Sequence, residues 1–242
     1  MKSLIRLLVG VVLLTQFSCG DNPEKQAHAL LQKSMEAHGG ADKWEEMSSL
    51  KFRKWTKLIN EDGSVESEIT QQMEFRFKPY FEGKMTWTKD SLVHVVTWDG
   101  SLMHYLMGAN EVKNPSFLAS KKKDLDAAFY AVAQPWKLMD ESAKLTYEGQ
   151  KTLENGKLVE VIRVDYGPGT DVWYFYFDPN SAMLVANEVQ TNDHRSLIYN
   201  LSFVEADGLR LQGIRESWRV DENGKKVFLR AEYSYTDYVI AD

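Results

Sequence analysis

Between Ala27 and His38, the residues Ala27, Leu30, Leu31, Ser34, Met35 and His38 recur at the spacing of one helix face. This predicts an amphipathic helix. Gly39 and Gly40 follow where a helix C-terminus favours positive φ, and His38 reads as its C-terminal cap. Trp44 and Met47 fit a second short helical turn packing back on the first. After Leu50 the period falls to two. In QQMEFRFK, Met73, Phe75 and Phe77 alternate with Gln72, Glu74, Arg76 and Lys78, the pattern of a half-buried strand.

Turn signals then recur at Glu61-Asp62-Gly63, Asp99-Gly100, Asn155-Gly156, Asp207-Gly208 and Asn223-Gly224, with Gly167-Pro168-Gly169 and Pro179-Asn180 among them. An Asn-Gly or Asp-Gly pair between apolar runs marks a hairpin, because both central residues tolerate positive φ. The pattern predicts about eleven strands in one antiparallel meander, which must curl or close to hide its apolar face and its edges. One helical stretch, residues 121–134, interrupts it. Leu125, Ala128, Phe129 and Val132 share a face there, with Ser120 as N-cap, Pro135 as stop and Trp136 next along the stripe. This helix is placed to cross the mouth of a curled sheet as a lid. Trp173–Phe177 and Leu92–Trp98 are apolar on both sides, so both sides must be covered. Helices on both faces, or a helix on one and a ligand cavity on the other, satisfy that requirement equally.

The first eighteen residues follow a different rule. Lys2 and Arg6 precede the apolar run Leu7–Leu14, which is far shorter than the roughly 17–25 residues that span a bilayer. Basic start, short apolar run and small residues make residues 1–18 a secretory signal. Cys19 is the only cysteine, and a secreted chain with one cysteine has no disulfide partner for it. Ser18-Cys19 resembles a bacterial lipobox, in which the cysteine is acylated, although Gln16-Phe17-Ser18 fits only at the last place. The alternative is an ordinary signal cut near Ser18 or Gly20. Acylation makes residues 19–26 a lipidated tether and 27–242 one domain. Gly20 rather than Asp after the cysteine favours the outer membrane by the sorting rule of known lipoproteins.

The net charge is −6, and the leader contributes only basic residues. An acidic body argues against nucleic acid and against anionic headgroups as partners. A content of 43% hydrophobic and 12% aromatic residues supports a large core, and no linker divides it.

The chain has no GxSxG, HExxH, Walker or dinucleotide pattern. His94 and His104 flank Asp99-Gly100. A two-residue turn would set His94 opposite Tyr105 and His104 opposite Val95, on opposite faces, which argues against a shared metal unless the turn has odd length. His194 reads as an exposed turn residue. Asp165, Asp171 and Asp178 lie at turns, with a calcium site as the alternative to Asx-type capping. Lys121–Lys123 reads as a solvated helix start rather than a phosphate contact.

Three stretches carry a resemblance: EAHGGADKWEEMSSLKF (36–52), AFYAVAQPWKLMD (128–140) and VWYFYFDPNSAMLVANEV (172–189). Together they resemble the LolA/LolB-like superfamily, and more closely a bacterial envelope lipoprotein family within it. The resemblance implies a strongly curved, half-open antiparallel barrel with an N-terminal helix and an inserted lid helix, a mainly β fold with α. It also implies a concave apolar face that receives acyl chains, with tethering at Cys19 more like LolB than soluble LolA. An arginine is tied to lid closure in those carriers, and no short motif places its counterpart in this sequence. The candidates for lining such a site are Met73, Phe75, Phe77, Met85, Trp87, Trp173, Phe175 and Phe177, with Leu125 and Phe129 from the lid. Such a module needs no cofactor and no catalytic residue. An envelope scaffold with a solid interior is the alternative, followed by a hydrolase built on scattered Asp, Glu and His.

Overall fold

The structure is a computed structural model that describes residues 22–242. The leader, Ser18 and Cys19 lie outside the described residues. Helix α1 spans Pro23–Ala37. The Asn22 side chain accepts the Glu24 N–H at 2.9 Å, and Pro23 sits where no N–H is needed. The helix therefore begins four residues before residue 27, and residues 23–26 form its first turn. Ala27, Leu30, Leu31, Ser34 and Met35 are its buried face. The short helix α2 (Ala41–Glu46) follows the two glycines.

Strands β1 (Ser49–Ile59), β2 (Val65–Arg76), β3 (Glu82–Lys89), β4 (Leu92–Trp98), β5 (Met103–Met107) and the two-residue β6 (Asn110–Glu111) form the first meander. Helix α3 (Pro115–Val132) interrupts the sheet, followed by a 3-10 turn at Trp136–Met139. Strands β7 (Lys144–Thr152), β8 (Leu158–Asp165), β9 (Val172–Phe177), β10 (Leu184–Gln190) and β11 (Arg195–Asn200) form the second meander. A side hairpin, β12 (Phe203–Ala206) and β13 (Leu209–Gln212), leads to β14 (Ile214–Val220) and the long β15 (Lys226–Ala241). The main sheet runs β6-β5-β4-β3-β2-β1-β15-β14-β11-β10-β9-β8-β7, so β15 joins the two meanders at its centre. The sheet is antiparallel and open, with β6 and β7 at its edges. All seven sequence-marked turns link successive strands. The count is thirteen strands in the main sheet and two in the side hairpin, above the expected eleven; the two-residue β6 is too short to show alternation.

Helix α3 starts six residues before residue 121. Asn114 is its N-cap, accepting the Phe117 N–H at 3.0 Å, and Pro115 occupies the first turn. Ser120 lies inside the helix and donates to the Phe117 carbonyl at 2.9 Å. The β4–β5 register also differs from expectation. Trp98 pairs with Met103 and His94 with Met107. The loop lengthens because the Asp99 carboxylate accepts the N–H groups of Ser101 and Leu102, both at 2.8 Å. The faces still alternate. His94 is buried against the Tyr105 hydroxyl at 2.5 Å, while exposed His104 reaches Asp99 at 3.3 Å.

The inner, helix-covered face of the sheet carries two packed cores. Under α3, Leu125 and Ala128 meet Phe52, Met73, Phe75 and Met85. Under α1, Ala27, Leu30 and Leu31 meet Ile162, Phe175, Phe177 and Leu184. On the outer face of the second meander, Val159, Val161, Tyr176, Ala186 and Leu197 form a third cluster. That is where the alternate aromatics of Trp173–Phe177 go. The HGG and QPW stretches meet: Trp44 stacks on Trp136 at 4.5 Å, and the Trp136 indole N–H donates to the Gly40 carbonyl at 2.9 Å. Gly39, at φ +117°, lets the β12–β13 turn approach, since a Cβ there would lie 2.3 Å from the Gly208 carbonyl oxygen. Both inner cores and all the pairings of the described strands lie within residues 22–242.

His38 closes α1 as expected and is fully buried. Its Nδ1 lies 2.8 Å from the Ser34 carbonyl, and its ring meets Phe203 and Trp136 edge-on. Burial pushes its pKa down to about 4, against the opposing effect of the Ser34 bond and aided by the Arg210 charge. Between the ordinary histidine value and 4, the unfolded chain takes up a proton that the folded chain refuses. Stability is therefore full above about pH 6.5 and falls as pH drops to 4, by on the order of 3 kcal/mol. A His38→Phe variant keeps the ring contacts without the titration. Melting curves from pH 7 to 4 should decline less steeply for it than for the native chain; parallel declines would contradict this.

Candidate functional site

Two helices cannot cover thirteen strands. Between the two inner cores the helices leave part of β15, β14, β11 and β10 unfilled, and a cavity of about 830 Å³ lies there, open to solvent. Its floor is set by register. Tyr233 on β15 stands opposite Arg215 on β14, which stands opposite Asn200 on β11. Ile198 stands opposite Asn187 on β10. Alternation therefore aims Tyr233, Tyr235, Arg215, Ile198 and Asn187 at the same inner side, and all five line the cavity. The wall is α3, through Ala127, Phe129, Tyr130 and Ala131, continued by Gln134. Trp173 closes one end, with Tyr130 edge-on to it at 5.5 Å. Tyr130 and Tyr166 share a hydrogen bond of 2.8 Å there. Burial raises both phenols above their usual range, Tyr130 well above it, so they stay protonated.

The rim carries Lys54, Lys122, Asp126 and Lys137. Lys122 pairs with Asp126 and Lys137 with Asp140. Arg215 is 5% exposed. Its Nε donates to Asn200 Oδ1 at 2.8 Å and its Nη2 to Asn187 Oδ1 at 2.7 Å. The outer face treats the opposite charge differently. Glu188, 1% exposed, accepts from Tyr176 at 2.8 Å, Gln190 at 3.0 Å and Arg195 at 2.9 Å. Burial alone would raise the Glu188 carboxyl, but these hydrogen bonds outweigh it and hold it below the usual range. Chemically, the cavity offers apolar walls, aromatic edges and a buried cation. Among the described residues, no group of three or more His, Cys, Asp or Glu is placed to share a metal ion.

Of the ten residues proposed from sequence to line an apolar site, Phe129 and Trp173 line this cavity. The other eight are elsewhere. Met73, Phe75, Met85 and Leu125 are buried in the core under α3, with Phe77 packed against it. Phe175 and Phe177 are buried under α1. Trp87 stacks on His94 at 4.9 Å. The reason is the seating of α3: Leu125 lies so close to β3 that a Cβ on Gly83 would sit 2.8 Å from its Cδ2. This end of the lid is packed down, and the room lies further along the sheet. Lys54, Asn187, Ile198, Arg215, Tyr233 and Tyr235 line the cavity and are not among the ten. Arg215 inverts the apparent pattern of its strand, because Ile214 is 51% exposed while the arginine is buried.

The remaining sequence candidates are spent locally. Asp178 accepts the Asn180 and Ser181 N–H groups and pairs with Lys157. The Ser181 bond leads in holding its carboxyl down to about 2. Asp165 caps Gly167 and pairs with Arg163. Lys121 pairs with Asp124. His194 is a half-buried turn residue bonded to Thr191.

Solved structures show the fold class. The fold is similar to a LolA superfamily protein from Nitrosomonas europaea, with a TM-score of 0.55 at 9% identity over 89% of this chain and 94% of that one. It is also similar to a putative outer membrane lipoprotein-sorting protein domain from Vibrio parahaemolyticus, with a TM-score of 0.53 at 9% identity over 90% and 93%. A DUF1329 family protein from Desulfovibrio piger gives a TM-score of 0.51 at 11% identity over 90% and 93%. The fold is LolA-like. Residues 2–200 match a family of unknown function, DUF6503, and the chain belongs to that family. No curated protein matches it.

The division between core and cavity is testable. Phe75→Ala should lower the unfolding free energy by about 3–5 kcal/mol in denaturant titrations, as for a filled core site. A loss below 1 kcal/mol would place Phe75 against open space instead.

Proposed function

We propose that this chain is a lipid-anchored protein of the bacterial envelope that holds an acyl chain or similar apolar ligand in the cavity between its two inner cores. The supporting observation is the cavity of about 830 Å³, within the roughly 300–1,000 Å³ typical of ligand pockets. Each methylene leaving water there contributes roughly 0.8 kcal/mol, so a long chain binds without a charged anchor. The LolA-like architecture, shared with a putative outer membrane lipoprotein-sorting protein domain, accords with a carrier. A solid interior would have favoured the scaffold reading. The hydrolase reading loses its footing because His94, His104 and His194 are dispersed: buried on β4, exposed on β5 and in the turn before β11.

Residues 22–242, purified and examined by native mass spectrometry with a fluorescent acyl probe, should bind one chain per molecule. Ile198→Trp, which fills the floor, should weaken binding at least tenfold with little change in melting temperature. Absence of any bound lipid or probe would refute the carrier reading.

In this reading Cys19 bears the anchor, since two or more acyl chains hold a protein stably where one does not. The whole chain, expressed in a bacterial host, should fractionate with membranes, and Cys19→Ser should move it to the soluble fraction. Unchanged fractionation would refute acylation at that residue.

A further inference from the structure

We infer that the cavity takes an acyl chain ending in an anionic oxygen head, a carboxylate or a phosphate monoester, and that Arg215 receives the head. This rests on reading the cavity as an acyl site and adds the chemistry of the ligand's polar end.

The inference begins with an uncompensated charge. A guanidinium cannot shed its proton, and burying one without a counter-charge is unfavourable. Arg215 is 5% exposed, yet its two side-chain acceptors, Asn187 Oδ1 and Asn200 Oδ1, are neutral amides. None of the ion pairs among the described residues includes it. The two amides occupy Nε and one position on Nη2, and the guanidinium has five N–H donors in all. Nη1 has no hydrogen-bond partner among the described residues, and Arg215 lines the cavity. The same fold supplies Arg195 to the buried Glu188 on its other face, so it pairs a buried charge where the pairing is internal. The arginine on the inner face is left for an external partner.

The surroundings point the same way. Of the four charged rim groups, Lys122 is matched by Asp126 and Lys137 by Asp140. Lys54 has no ion pair among the described residues and lies over the Tyr233 ring. The cavity is therefore cationic in a chain of net charge −6, a local reversal of the acidic balance that argues against anionic headgroups on the body as a whole. A planar guanidinium fork suits carboxylate and phosphate oxygens, while Ala131, Ile198 and Trp173 give the chain an apolar bed.

The test uses residues 22–242 loaded with the uncharged fluorophore diphenylhexatriene and displaced by hexadecanoate, hexadecyl phosphate or hexadecanol. At least one of the two anions should displace the probe at about tenfold lower concentration than the alcohol, the scale of one charge-assisted hydrogen-bonded contact. Arg215→Met should erase that gap and leave the alcohol unchanged. Equal potency of acid, phosphate and alcohol on the native chain would overturn the inference while leaving the acyl site intact. A gap that survives in Arg215→Met would overturn it too. Millimolar inorganic phosphate abolishing the gap would overturn it by showing a site for free phosphate rather than a lipid head. Failure of the native chain to bind the fluorophore or any of the three amphiphiles would instead refute the underlying acyl reading. Circular dichroism checks that the variant is folded; should it not fold, the comparison on the native chain decides.

Discussion

The inner face of a thirteen-stranded sheet is wider than two helices can cover. Each helix makes a dry core where it lands: α3 over the first meander and α1 over the second. A meander with hairpin turns has no further helix to spend on the middle, and β15 draws the two halves together so that the middle is the centre of the sheet. The uncovered strip is therefore a consequence of topology rather than of a local packing fault. Apolar surface left open in this way favours whatever removes it from water.

The seams that hold the helices down are specific. Trp44 against Trp136, the indole bond to Gly40 and the close approach at Gly39 fix both helices and the side hairpin at one junction. His38, buried and held neutral, lies at the same junction. Tight seating of α3 at Leu125 and Gly83 leaves the cavity to the part of the helix around Ala127 and Ala131. Phe129 serves both sides, touching Phe75 and Phe81 in the core and the cavity beyond.

Much of this fold is legible from sequence because its signals are local. Seven turns, the α1 face and the alternation of Met73, Phe75 and Phe77 depend only on near neighbours. The start of α3 was misplaced because Asn114-Pro115 is also a loop signal, and only the later residues show an apolar stripe. The β4–β5 register was misread because Asp99 turns a two-residue loop into a longer one. The cavity was harder. The most apolar residues were the natural guesses for its lining, but residues that apolar are the ones a core consumes. Its floor is instead built from residues such as Arg215 and Asn187, whose inward direction follows from a register set by strands far apart in sequence.

The account depends on the open strip, rather than the two dry cores, being where an apolar guest resides. Methyl NMR of residues 22–242 with a nitroxide-labelled acyl chain reads this directly. Paramagnetic broadening should be strongest at Ile198 and Ala131 and should spare Met73 and Met85. Broadening centred on Met73 and Met85, or none at all, would contradict it.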